Sequence, residues 1–167
     1  MLFDTHAHYD DDQFDGDRET LLASLPEQGV GLVVNPGCTV ASSRTAVELA
    51  RRFPHVYAAV GIHPENCGDF RPEDLDAIRA LAREDKVVAI GEIGLDYYWP
   101  ENPPRPLQQQ VLRSQLALAR ELSLPVIIHD RDAHADTMAI VRKFPGLRGV
   151  FHCFAGSVEM ARELVDM

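Results

Sequence analysis

Six short apolar runs, each followed by a stretch with helical spacing, leave this 167-residue chain few folds to adopt. Residues 2–3, 30–34, 56–62, 86–90, 125–128 and 149–151 read as strands. Helices are expected over 18–28, stopped by Gly29; 41–53, closed by Pro54; 72–84, with Pro72 in the first turn; 107–122; 135–144; and 158–165, capped by Ser157. Nearly continuous apolar strands joined by helical crossovers form a parallel sheet covered on both faces, or a barrel. Both architectures place their active sites at the C-terminal ends of the strands.

Metal-binding residue types recur at those ends. His6 and His8 follow the first strand, His63 the third, Glu92 the fourth, His129 the fifth and His152 the sixth. That is five of the seven histidines; His55 precedes a strand and is expected at the surface, and His134 starts a helix and is expected in solvent. Core packing does not explain five histidines and a glutamate on one rim. In extended chain, residues two apart share a face, so His6 and His8 project side by side with Asp4 below them. Neutral imidazoles and carboxylates suit borderline or hard divalent cations. A two-metal arrangement follows: His6 and His8 on the first ion, His129 and His152 on the second, and Glu92 giving one oxygen to each. Two ions about 3.5–4 Å apart share a hydroxide, lower the pKa of water towards ~7 and clamp a reacting phosphoryl group. No serine or cysteine nucleophile is then required.

The surrounding residues have two readings each. Asp4 hydrogen-bonds or weakly ligates in support of catalysis, or is a structural acid at a strand end. His63 contacts metal-bound water or a phosphate, or packs as a turn histidine beside Pro64. Arg131 binds an anionic substrate group bidentately, or forms a salt bridge with Asp130 or Asp132. Asp96 and Tyr97 shape the substrate cleft, or fix their own loop. The acidic run 10–12 is a solvated loop or a carboxylate metal site. Cys153 alternates away from the rim and is expected in packing. The net charge of -10 argues against a large basic nucleic-acid surface, but bound metals can supply local positive charge. Three widely spaced cysteines without a C-x-x-C fit a reducing cytoplasm. No apolar run is long enough to span a bilayer, and no signal peptide is evident, so no membrane association is expected.

Five stretches together resemble the TatD family of metal-dependent hydrolases: 4–8 (DTHAH), 61–64 (GIHP), 91–98 (GEIGLDYY), 128–133 (IHDRDA) and 151–156 (FHCFAG). They stand in the family's order across the whole chain. The resemblance implies an amidohydrolase-like (β/α)8 TIM barrel of α/β class and deoxyribonuclease activity on DNA, a 3′→5′ exonuclease action. It implies two divalent cations (Mg, Mn or Zn), with His6, His8 and Glu92 on one and Glu92, His129 and His152 on the other. Glutamate bridging separates the chain from relatives that use a carbamylated lysine on strand four, since Lys86 lies at that strand's beginning. The alternatives are ester or lactone hydrolysis, including deacylation of a D-aminoacyl-tRNA, and an inactive metal-binding fragment. The octapeptide disfavours the seven-stranded phosphoesterase barrel that also begins with H-x-H.

One departure stands out. A barrel of this kind takes about 250 residues, and the chain ends at Met167 with about six βα units. The family's aspartate after the last strand, in a Thr-Asp-x-Pro-like setting, has no match. Residues 1–167 are therefore expected to be a single incomplete domain lacking strands seven and eight, a fragment with weak or absent activity.

Overall fold

The computed structural model describes all 167 residues. The alternation resolves into β1 (Leu2–Asp4), α1 (Arg18–Ser24), β2 (Val30–Pro36), α2 (Val40–Arg52), β3 (Val56–Val60), α3 (Pro72–Leu81), β4 (Val87–Asp96), α4 (Arg105–Leu122), β5 (Val126–Arg131), α5 (His134–Val141), β6 (Gly149–Phe151) and α6 (Val158–Asp166). All six strands are parallel and pair in sequence order. Flat, six strands about 4.8 Å apart would hold β1 and β6 roughly 24 Å from each other. Yet His6, just after β1, stacks on His152, just after β6, with ring centroids 3.5 Å apart. The sheet is therefore curled, as part of a barrel is.

Alternation along the strands sorts the core. Val33, Ala58, Ile90, Ile93 and Ile128 face the helices and join Leu22, Val47, Ile78, Leu112 and Leu116 in the main apolar cluster. Val34, Ala59, Ala89 and Ile127 form a second, small cluster on the concave face, one inward residue from each of four adjacent strands, as barrel interiors are filled. On the open edges, Leu2, Phe3 and Val150 are exposed. No helix is long and apolar enough to cross a membrane.

Several boundaries shift by a few residues, among them the ends of α3, β5 and α5, and the two largest shifts have physical reasons. Helix α1 ends at Ser24 although Leu25 keeps helical backbone: the Leu25 N–H turns to the Leu22 carbonyl three residues back, at 3.4 Å, and Pro26 has no N–H with which to continue the ladder. Strand β4 continues through Glu92 to Asp96, since its far half pairs with β5 through Ile93↔Ile128, Gly94↔His129 and Asp96↔Arg131. The register slips between Ile90 and Ile93. Glu92 thus sits at an irregularity within the strand, and such features re-aim a side chain.

Candidate metal centre

Glu92 is buried at the centre of the strand ends, and its two oxygens face two different sets of imidazoles. Oε2 lies 3.1 Å from His6 Nε2 and 3.5 Å from His8 Nε2. Oε1 lies 3.1 Å from His129 Nδ1 and 3.7 Å from His63 Nε2. The Nε2 atoms of His6 and His8 are themselves 3.1 Å apart. Two groups therefore have ligand atoms close enough to share an ion: His6, His8 and Glu92, and His63, Glu92 and His129. A proton between two of these nitrogens satisfies one pair; a divalent cation satisfies three convergent lone pairs at once. The donor set fits such an ion. Burial pushes the Glu92 carboxyl up, but hydrogen bonds with His129, His6 and His8 outweigh this and hold it well below the usual carboxylate range.

Hydrogen-bond partners give His129 and His63 their orientation and tautomer. His129 Nε2 lies 2.9 Å from Asp96 Oδ2. An Nε2–H donated to that carboxylate leaves the Nδ1 lone pair aimed at Glu92 Oε1, the arrangement of a carboxylate-oriented metal ligand. Burial pulls the His129 pKa down, but its hydrogen bonds to Glu92 and Asp96 leave it raised. His8 is raised too, chiefly by its hydrogen bond with Glu92. His63 is set the other way. Its Nδ1 accepts the Glu65 N–H at 3.3 Å, capping the short helical turn Pro64–Asn66. The proton is therefore on Nε2, which points into the centre as a donor and not as a ligand.

Burial lowers the His63 pKa to about 4. Between the ordinary value of 6.5 and about 4, the unfolded chain binds the proton and the folded one does not, so stability falls as pH falls through this window. The wild type is expected to lose about 3 kcal/mol more than His63→Gln on going from pH 7 to pH 4. Urea unfolding of both proteins across that range checks this; parallel curves contradict it.

His152 departs from its expected place. Strand β6 ends at Phe151, the His152 N–H donates to the Ile128 carbonyl at 2.8 Å, and Cys153 turns the chain with φ 47°. The ring consequently lies flat on His6, at an interplanar angle of 11°, instead of joining Glu92 and His129. Burial lowers its pKa, and a neutral ring is what close stacking on another imidazole requires. Cys153 is exposed, not packed.

The other candidates separate clearly. Asp4 Oδ1 accepts the His6 N–H at 3.1 Å, so it shapes the turn that presents His6. Asp96 is fully buried; besides reaching His129, it accepts from the Tyr98 amide and Asn102 Nδ2, both at 3.0 Å. It fixes its loop and orients an imidazole with one carboxylate. Tyr97 donates its hydroxyl to Asp136 at 2.9 Å, accepts there from Gln109 and lies under Arg105. That ties the β4 loop to α4 and α5 and takes Tyr97 away from the cleft. Arg131 pairs with neither Asp130, which binds His134 and Thr137, nor Asp132; its guanidinium lies over the Tyr98 ring. His134 is half-exposed and engaged with Asp130, and His55 is half-buried, edge-on to Phe53. In the acidic run, Asp10 accepts from the buried Asn35 amide at 2.7 Å and lies 3.9 Å from His8 Nδ1. Tyr98 and Trp99 are neighbours of the centre to which sequence reasoning gave no role. For the aromatic pair the signal was present: two large rings beside a Pro-rich polar loop.

Comparison with known proteins gives the family and the fold. The profile of the family described as "TatD related DNase" matches residues 3–167. The chain is 42% identical over 169 residues to "Uncharacterized metal-dependent hydrolase YabD" of Bacillus subtilis (strain 168), covering 100% of this chain and 66% of that protein. It is 35% identical over 169 residues to "3'-5' ssDNA/RNA exonuclease TatD" of Salmonella typhimurium, covering 99% and 64%. The crystal structure of YjjV, a TatD homolog from Escherichia coli K12, superposes with a TM-score of 0.90 at 34% identity, over 99% of this chain and 64% of that one. The chain thus spans just under two thirds of the length of these relatives. Sequence profile, pairwise identity and superposed backbone agree over nearly every residue, and the chain belongs to the TatD-related DNase family.

Proposed function

We propose that this chain carries the metal-binding rim of a metal-dependent phosphodiesterase that removes nucleotides from the 3′ end of single-stranded nucleic acid. One observation carries the reading: the two oxygens of a single buried carboxylate, Glu92, each face their own imidazoles. The name "3'-5' ssDNA/RNA exonuclease TatD" borne by the Salmonella relative supports the substrate class. His6, His8 and Glu92 Oε2 would hold one divalent cation (Mg, Mn or Zn). Glu92 Oε1 and His129 Nδ1 would hold the other, with His152 the remaining imidazole at these strand ends. The cations supply Lewis acidity toward a phosphoryl oxygen and toward water.

The chain's own groups do the rest. Neutral His63 donates Nε2–H to an oxygen of the reacting phosphate or to the attacking water. Arg131 draws the substrate's anionic backbone to the rim. Asp96 keeps His129 in the ligating tautomer, a positioning role. One continuous main core across the sheet supports treating 1–167 as a single domain.

The test is release of mononucleotides from single-stranded oligonucleotides labelled at either end, by the metal-loaded protein, beside a panel of carboxylic esters. Slow sequential loss of 3′ nucleotides is expected, in keeping with the weak activity anticipated for residues 1–167. Ester turnover without nucleotide release contradicts the reading. Asp96→Asn is expected to weaken one of the two cations about 10–100-fold while the other binds as before. Calorimetric titration with Mn²⁺ resolves the two; an unchanged isotherm counts against the orienting role of Asp96.

A further inference from the structure

Beside the candidate metal centre, two aromatic rings and a guanidinium meet at the surface. Tyr98 and Trp99 are 49% and 43% exposed, among the large hydrophobic residues left open. Their rings stand edge to face, 4.6 Å apart at 87°. The Arg131 guanidinium carbon lies 3.9 Å from the Tyr98 centroid and 5.4 Å from that of Trp99, so the cation occupies the corner between the two rings.

The group is rigidly tied to the centre. Asp96 and Arg131 are register partners on β4 and β5, and the Tyr97 N–H donates to the Arg131 carbonyl at 2.9 Å. The Asp96 carboxylate holds the Tyr98 amide with one oxygen and the His129 ring with the other. Arg131 itself lies two residues beyond His129 on the same strand.

We propose that Tyr98, Trp99 and Arg131 form a stacking subsite for an unpaired nucleobase next to the metal centre, a reading that rests on the nucleic-acid function above. Half-exposed aromatic rings and a planar cation are surfaces on which a base stacks, and such stacking accepts any base. A positive group at this point of a chain of net charge -10 is complementary to a backbone phosphate. A base inside a duplex is stacked on both sides, whereas an unpaired base is free to enter such a site, so the subsite favours single strands.

Trp99 is the only tryptophan in the chain, so its fluorescence reports this site alone. The probe is a single-stranded hexathymidylate whose last linkage is a cleavage-resistant phosphorothioate, titrated in the presence of Mg²⁺. A matched oligonucleotide lacks the 3′-terminal base. The intact probe is expected to quench Trp99 and to bind about tenfold more tightly than the abasic one. Read by the fluorescence anisotropy of the same probes carrying a 5′ dye, since these variants have no tryptophan, Trp99→Ala should bind the intact probe about tenfold more weakly and no longer distinguish the two, and Trp99→Phe should restore most of the difference. Arg131→Lys, which keeps the charge and loses the plane, should fall between wild type and Arg131→Gln. Binding without quenching and with equal affinity for the abasic probe overturns the subsite and leaves the nuclease reading standing. Failure of the wild type to bind any single strand overturns both.

Discussion

Glu92→Gln is expected to empty both cation positions at once. An amide keeps the shape of the side chain but carries no charge: its nitrogen end cannot ligate, its oxygen is only a neutral ligand, and the site loses its only carboxylate in contact with both sets of imidazoles. His6 and His8 face Oε2, while His129 faces Oε1. A substitution on one side should therefore release one ion: His6→Gln the first, His129→Gln the second. Glu92→Gln should release both and lower nucleotide turnover by about 10³-fold or more, since cations in such a site supply several kcal/mol of charge stabilisation. Metal content per protein molecule after dialysis, measured by elemental analysis, separates these outcomes. A Glu92→Gln protein that retains one full equivalent would show that the carboxylate serves one ion only.

Gly94→Ala is expected to be the most damaging single change outside the metal ligands. Gly94 pairs with His129 across β4 and β5, at φ +155°. A Cβ there would fall inside the van der Waals envelope of the His129 carbonyl oxygen, with the same residue's carbonyl carbon and amide nitrogen 2.8 and 2.9 Å away. These are backbone atoms of a paired strand, so no rotamer change relieves the clash. The two central strands must separate where they carry Glu92 and His129. A loss above ~4 kcal/mol is expected, enough to unfold a marginally stable domain. Gly16→Ala is the control: nothing lies within 4 Å of its would-be Cβ, and it should change stability by less than ~0.5 kcal/mol. Chemical denaturation of both variants checks the contrast, and a Gly94→Ala protein within ~1 kcal/mol of wild type contradicts the close approach.

Much of this architecture was legible because local pattern and global fold agree. Each strand is a short apolar run bounded by turn residues, and each crossover helix carries its own stripe, so six βα units could be counted from the chain. The same alternation put His6, His8, His63, Glu92, His129 and His152 at one end of the sheet. Boundaries failed where a second signal was overlooked. Pro26 ends α1 early. The glycines of 91–98 suggested a loop, whereas they are strand positions at which the β5 backbone comes too close for a side chain.

The division of labour within the site was less visible. Alternation says that a residue reaches the rim; it does not say which nitrogen of a ring faces inward. That depends on partners distant in sequence or local to a turn: Asp96 for His129, 33 residues away, and the Glu65 amide for His63. His152 was paired with His129 by strand order and by the family resemblance, but the curl of the sheet brings its ring back onto His6. Closure of that kind is a property of the whole sheet. Arg131 ends β5, and its neighbours were sought among the adjacent aspartates. The ring it covers belongs to the β4 loop, which only the β4–β5 register brings alongside.

The central claim is that Glu92 joins two cation positions. Anomalous scattering from crystals equilibrated with Mn²⁺ tests it most directly. Two peaks are expected, one against Glu92 Oε2 between His6 and His8, the other against Glu92 Oε1 beside His129 Nδ1. A single peak, or two peaks of which only one touches Glu92, would contradict the account.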